Sequence, residues 1–241
     1  MLNTSLIVGA GQIGTSLYKV LAPYYKVLLK DKEPLSISEL ERVFFDELGC
    51  RTELDIMHVC IPYSKDFIDQ VTSYQLEYKP KFTVIHSTVP AGVSRVCKAV
   101  HSPVIGIHPF LEKSLTTFTK YLGGKESYQV ADYFRKAGMK VYIFEKQETT
   151  ELMKILDTTN YGVEIEFAKE VKRICDKNGI PFEAWTLWVR NYNEGYTKLG
   201  YPEYVKPNLV PIDKKIGGHC VVPNAYFLES KFSKLIQNEN K

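Results

Sequence analysis

"SLIVGAGQIG", residues 5–14, decides the fold. Ser5 to Val8 is a short apolar run that stops at Gly9, and Gly9, Gly11 and Gly14 then stand in G-x-G-x-x-G register at the opening of a predicted helix. Glycine suits all three places: the chain must turn sharply, approach a pyrophosphate without a Cβ in the way, and let helix and strand pack closely. The exposed N–H groups of the helix start would face the phosphates. Asp31 closes the next apolar run, "KVLLK", about 20 residues on, where a carboxylate accepts hydrogen bonds from ribose hydroxyls. NAD is therefore expected over NADP, although the flanking Lys30 and Lys32 could serve a 2′-phosphate.

Outward from this loop, "DIMHVCIP", "FTVIHSTVP", "PVIGIHP" and "KVYIFE" continue the series of short Val- and Ile-rich runs bounded by Gly, Pro or Asp. Such runs, joined by amphipathic segments, read as buried parallel strands alternating with helices. The expectation is an α/β fold: a Rossmann-type doubly wound parallel sheet over residues 1–147, followed by a long helix and a small all-helical domain over 148–241. From about Thr150 to Asn178, Leu152, Ile155, Leu156, Val163, Phe167, Val171 and Ile174 recur with helical period. Asn178-Gly179 supplies a left-handed stop and Pro181 prevents resumption. A shorter helix, a Pro- and Gly-punctuated loop and a terminal helix carrying "AYFLESKFSKLI" are expected beyond it.

Composition bounds the function. The 241 residues are 44% hydrophobic, enough for a substantial core, and the net charge of +3 is scattered, so nucleic acid is not the favoured partner. Five cysteines without a C-x-x-C spacing indicate neither a disulfide framework nor a metal site, and fit a reducing cytoplasm. The first residues pass directly into a strand pattern, so no signal peptide is expected, and no apolar run reaches membrane-spanning length.

Two further stretches carry chemistry. On the long helix, Lys154, Asp157, Thr158 and Tyr161 cluster opposite the apolar stripe, either as a solvated side or as a face toward a cofactor cleft, with Lys154 the cation for an oxyanion. Asn160 falls toward the apolar side and would need a buried partner. Late in the chain, "KKIGGHCVVPNAYFLES", Lys214 to Ser230, gathers two glycines, His219 and Cys220. A packed thiol behind a glycine turn would explain it. So would a nucleophile, with Gly217 and Gly218 letting the main chain pass close to a substrate.

The order "VGAGQIG", Asp31, "VCIPYS", "HSTVPAGVS", "LGG", "TTELMKILDTTNYGVEIEFAKEVKRICDKNGI" and "IGGHCVVPNAYFL" resembles the UDP-glucose/GDP-mannose dehydrogenase family, most closely its UDP-N-acetylmannosamine-type branch. The likeness is collinear over nearly the whole chain. It implies an NAD-dependent oxidation of a sugar alcohol to a carboxylate in two hydride transfers. Cys220 would be the nucleophile, passing through a thiohemiacetal and a thioester; Lys154 would stabilise the alkoxide, and Thr88 would position water or the nicotinamide region. His219 is implied to be a neighbour and not the acid–base group. Gly9, Gly11, Gln12, Ile13, Gly14, Asp31, Pro62, Tyr63 and Thr88 would hold the cofactor. A homodimer through the 150–178 helix is also implied.

Several positions depart from that pattern. Asn224 stands where the family has an aspartate four residues after its cysteine, and an amide can orient a water but cannot take its proton. Thr158 replaces an asparagine four residues after the lysine. Phe110 stands where a catalytic glutamate is expected, with Glu112 out of register, and His108 is either a substitute titrating group or an imidazole tied to a strand end. The chain stops about where the family's second nucleotide-gripping domain would begin. These departures leave two other readings open: a single-step 3-hydroxyacid or prephenate-type dehydrogenase without thiol chemistry, and a noncatalytic cofactor-binding protein.

Overall fold

The computed structural model describes residues 2–31, 54–107, 109–218 and 220–241. Lys32, His108 and His219 lie outside the described residues. The chain divides into two compact units, Met1–Lys154 and Ile155–Lys241.

The first unit is built on a seven-stranded sheet ordered β2-β1-β3-β4-β5-β6-β7. Its strands are β1 (Thr4–Val8), β2 (Lys26–Lys30), β3 (Ile56–Val59), β4 (Phe82–Ile85), β5 (Val100–His101), β6 (Lys120–Gly123) and β7 (Val141–Phe144). The first five run parallel, β6 is antiparallel to β5, and β7 is parallel to β6. Helices α1 (Gln12–Leu21), α2 (Phe67–Tyr78), α3 (Val93–Val96), α4 (Leu111–Thr117) and α5 (Ser127–Lys136) lie in the connections. Alternate residues of β1 to β4 feed two separate cores. Ile7, Ile56 and Val84 join Leu17, Leu111 and Phe134 on one side; Leu6, Val8, Met57, Val59 and Ile85 join Phe67 and Val71 on the other. Both faces being buried, the strands read as nearly continuous apolar runs.

The doubly wound sheet expected from the sequence is present, with two corrections. It is not wholly parallel: β6, opened by a lysine in "KYLGG", reverses direction. The described part of "PVIGIHP", residues 103–107, is not a strand; β5 is Val100–His101, one residue earlier, and Gly106 instead packs against α4, where an added Cβ would lie 2.6 Å from that of Ser114.

Helix α6 (Gln147–Lys177) begins three residues earlier than the periodicity placed it. It ends at a left-handed Gly179 (φ +64°), with Ile180 N–H bonding the carbonyl of Cys175 at 2.9 Å. The expected apolar stripe is not one buried face. Ile155 is fully buried, whereas Leu156, Phe167 and Ile174 are exposed, and Thr158, Thr159, Gly162, Glu166, Ala168 and Cys175 are buried. Asn160 is exposed and donates to Glu164 at 2.6 Å, so it needs no buried partner.

The rest of the second unit is α7 (Phe182–Lys198), a 3-10 turn (Pro202–Tyr204), α8 (Val221–Ala225) and α9 (Lys231–Glu239). The expected terminal helix is thus two pieces, because Ser230 begins α9 afresh through a reciprocal capping box with Ser233. Ile216, Val221, Ala225 and Ile236 form a small core against Val163 of α6. Among the described residues no helix is long and apolar enough to cross a membrane.

Candidate active site

In a doubly wound sheet the ligand crevice opens where neighbouring connections leave in opposite directions, outside the carboxyl ends of the strands. Here that point lies between β1 and β3. Gly9 leaves β1 with φ +100°, and a Cβ on it would meet the carbonyl carbon and oxygen of Cys60, just past β3, at 2.8 Å. A Cβ on Gly14 would lie 1.8 Å from the Gly9 oxygen, so helix α1 can pack on β1 only without one. Gly11 is different: nothing lies within 4 Å of its missing side chain, and no side chain caps α1. Two glycines are thus required by packing and one by open space beside uncapped helix N–H groups, which is the shape a pyrophosphate fits. Gln12 is exposed and Ile13 half-buried at this opening.

Asp31 accepts a hydrogen bond from Ala10 N–H at 2.6 Å, which ties the end of β2 to the loop. Its neighbour Lys30 bonds Tyr78 and Glu77, the latter at 3.2 Å, so its ammonium already has partners. The opposite wall is formed after β3 and β4. Pro62 is exposed, and Tyr63 packs on Phe67 with ring centroids 5.5 Å apart.

The loop carrying Thr88 is pinned on three sides. Ser87 Oγ donates to the Ile61 carbonyl at 2.5 Å, His101 Nε2 contacts the Ser87 carbonyl at 3.2 Å, and Glu151 accepts from Gly92 N–H and Ser94 N–H at 2.6 and 2.8 Å. Glu151 is fully buried and sits on α6 one turn before Lys154, which is half-buried. No role was assigned to Glu151 from the sequence; the E-L-x-K spacing carried the signal. Phe110 is exposed, at the start of α4, and Glu112 is engaged by Lys19 at 2.5 Å.

In the second unit, Cys220 is exposed and immediately precedes α8, while Gly217 and Gly218 (φ +82°) have open space around their missing side chains. Asn224 is buried and its amide lies 3.5 Å from the hydroxyl of Thr158, which also donates to the Ile155 carbonyl at 3.0 Å. The two departures from the family pattern are therefore partners of one another. Gly162 makes this approach feasible, since a Cβ there would meet Ile236 at 2.6 Å and Val221 at 2.7 Å. Tyr161 and Asp157 are exposed.

The first unit also holds a buried polar cluster that sequence reading missed. His58, His86, His101 and Lys120 are all at most 4% exposed. Burial first, and Lys120 second, hold His58 down at about 3; burial likewise holds His101 at about 3 and His86 well below the usual imidazole value. Burial lowers Lys120 to about 7 and pushes the Cys60 thiol up to about 12. Among the described residues no His, Cys, Asp and Glu set is arranged to hold a metal ion.

No protein-family model matches the chain. A curated UDP-N-acetyl-D-mannosamine dehydrogenase of Methanococcus vannielii is 22% identical over 275 aligned residues, taking in 93% of this chain and 61% of its own length. One of Methanococcus maripaludis is 23% identical over 61% of this chain and 34% of its own. The chain thus spans about three fifths or less of these relatives. Among solved structures, the UDP-D-ManNAc dehydrogenase of Pyrococcus horikoshii superposes with a TM-score of 0.73 at 16% identity, over 98% of this chain and 68% of that one. The 3-hydroxyisobutyrate dehydrogenase of Mycobacterium tuberculosis gives 0.69 at 15% identity, over 99% of this chain and 92% of that one. The resemblance to nucleotide-sugar dehydrogenases and the Rossmann-type fold are both upheld.

Proposed function

We propose that this chain is an NAD-dependent oxidoreductase that oxidises the primary alcohol of a sugar or nucleotide sugar; the two Methanococcus relatives and the P. horikoshii structure are by name dehydrogenases of a nucleotide sugar. The observation that carries the reading is the glycine cradle at the switch point. Gly9 and Gly14 admit no side chain, while Gly11 faces open space at an uncapped helix start. Asp31 at the end of β2 favours ribose hydroxyls, and Lys30 is taken up by Tyr78 and Glu77, which supports NAD over its 2′-phosphorylated counterpart.

The bound nicotinamide supplies a hydride acceptor. Lys154 is assigned to stabilise the substrate alkoxide and Thr88 to orient the group beside it. Once the alcohol is an aldehyde, the Cys220 sulfur adds to the carbonyl carbon, giving a thiohemiacetal. Loss of a second hydride from that carbon, for which a second molecule of NAD would be the acceptor, together with the hydroxyl proton would leave a thioester, which water would cleave to a carboxylate and the free thiol. Asn224 and Thr158, in direct contact at 3.5 Å, are assigned to orient this water as a pair, though neither can hold its proton. A homodimer through α6 accompanies this reading, supported by the exposure of Leu156, Phe167 and Ile174 along that helix.

A second reading, a single-step 3-hydroxyacid-type dehydrogenase, is favoured by two observations. The chain covers 92% of the M. tuberculosis enzyme, and Asn224 stands where the thiol pathway wants a carboxylate. Counting NADH against substrate consumed, over a panel of UDP-sugars and small hydroxyacids, separates the two. Two NADH per UDP-sugar, lost on Cys220→Ala, is the expected result. One NADH per hydroxyacid, unchanged by Cys220→Ala, establishes the second reading, and no NADH from any alcohol defeats both.

A further inference from the structure

Lys120 is buried with no anion against it among the described residues. Because β6 runs against β5, this first residue of β6 emerges at the edge where β1 to β5 end. Its ammonium contacts the Ser102 carbonyl at 3.1 Å and His86 Nδ1 at 3.0 Å, just past β5 and β4, and lies 5.7 Å from the Phe134 ring of α5. The groups facing it are His58 and Cys60 from β3 and its end, His86 from the end of β4, His101 from β5 and Phe134 from α5, while Tyr133 of α5 packs on His58. Cys60 is the residue whose main chain Gly9 approaches, so the lysine and the glycine loop share it as a neighbour.

From His86 a line of hydrogen bonds crosses the sheet. His86 Nε2 meets His58 Nδ1 at 3.0 Å, His58 Nε2 meets Tyr133 Oη at 3.3 Å, and Tyr133 Oη meets Ser5 Oγ at 2.9 Å. All of these residues are at most 4% exposed. With one proton per link, the line closes in two ways. If Lys120 donates to His86 Nδ1, then His86 donates to His58, His58 to Tyr133 and Tyr133 to Ser5. If Lys120 is a neutral amine, His86 Nδ1 donates to the Ser102 carbonyl at 2.9 Å, and every other bond reverses. Neither arrangement needs an imidazolium, in keeping with the depressed basicity of both rings.

We propose that Lys120 sets dinucleotide affinity as a charge switch, ammonium or neutral amine, with His86, His58, Tyr133 and Ser5 relaying the proton. On deprotonation one proton passes from Lys120 to His86 Nδ1, one from His86 Nε2 to His58 Nδ1, one from His58 Nε2 to Tyr133 Oη and one from Tyr133 Oη to Ser5 Oγ. The proton Ser5 held is the one released from the line, Ser5 itself being 1% exposed. Only Lys120 ends with one proton fewer. The ammonium attracts the pyrophosphate and the amine does not, so binding weakens as pH rises. The affinity half of the proposal rests on the cofactor reading; the relay does not.

Two measurements on the full chain test it. In 15N-histidine spectra without cofactor, His58 and His86 should move together from the Nε2–H to the Nδ1–H tautomer with one midpoint, and Lys120→Met should fix both as Nδ1–H throughout. Fixed tautomers in the wild type, or an imidazolium, overturn the relay. Should Lys120→Met not fold, Tyr133→Phe replaces it. That change strands the His58 Nε2–H and must lower the midpoint, and an unmoved midpoint contradicts the relay. In NAD titrations, wild-type affinity should fall about tenfold between pH 6 and 8.5, the equivalent of about one pKa unit on Lys120, while Lys120→Met stays flat. Equal slopes in both overturn the switch. No NAD binding at either pH defeats the cofactor reading and the affinity claim with it, while the spectra still decide the relay.

Discussion

At the residue scale the glycines make the sharpest demands. Gly9 combines φ +100° with a backbone neighbour 2.8 Å from any Cβ, so Gly9→Ala suffers both strain and collision. We expect a loss of about 2 kcal/mol or more in denaturant unfolding. Gly11→Ala has free space and should keep its stability while weakening cofactor binding, because the added methyl intrudes on the phosphates. Equal stability losses in the two variants would contradict this division. Lys120 gives a pH signature at the same scale. Its folded value of about 7 lies below its ordinary value of 10.5, so between these limits the unfolded chain binds more protons and stability rises with pH. Lys120→Met should flatten that rise and raise stability at pH 6, as read from urea midpoints.

At the element scale, helix α6 organises a loop in each unit. In the first, Glu151 holds Gly92 and Ser94 N–H and so fixes the Thr88 loop. Glu151→Ala leaves one buried and one half-buried donor unpaired and should cost roughly 3 kcal/mol, with turnover falling further than stability alone accounts for. A variant as stable as the wild type would refute this. In the second unit, Gly162→Val should overpack against Ile236 and Val221 at a cost of about 1–3 kcal/mol and disturb the segment after Cys220.

What the sequence disclosed follows from the range of each interaction. Strands β1 to β4 and β7 and the stop of α6 at Gly179 were legible because apolar runs and glycine geometry are local. Strand β6 was missed because a lysine opens it, and "PVIGIHP" misled because an apolar run can equally line a loop packed on a helix. Which residues of the α6 stripe are covered was not legible, because period alone does not say what covers a face: Ile155 is buried whereas Leu156 and Phe167 are exposed. The line from Lys120 to Ser5 joins residues up to 128 positions apart, through bonds that only strand order and the packing of α5 create.

At the scale of the whole molecule, the second unit leaves much apolar surface uncovered among its described residues: Leu187 is 60% exposed and Trp188 67%, besides Phe167 and Ile174. Surfaces of this kind mark interaction sites. A homodimer is the expected state, and light scattering at micromolar concentration should return twice the 27.6 kDa chain mass. A monomer mass, or a dimer undisturbed by Leu156→Glu with Phe167→Glu, would remove α6 from the interface.

The central claim is that the β1–β3 crevice holds a dinucleotide. Calorimetric titration of the wild type and Gly11→Ala with NAD tests it most directly. One saturable site per chain, weakened at least tenfold by the added methyl, is the predicted result. An absence of binding by the folded wild type, or equal affinity in both proteins, would contradict it.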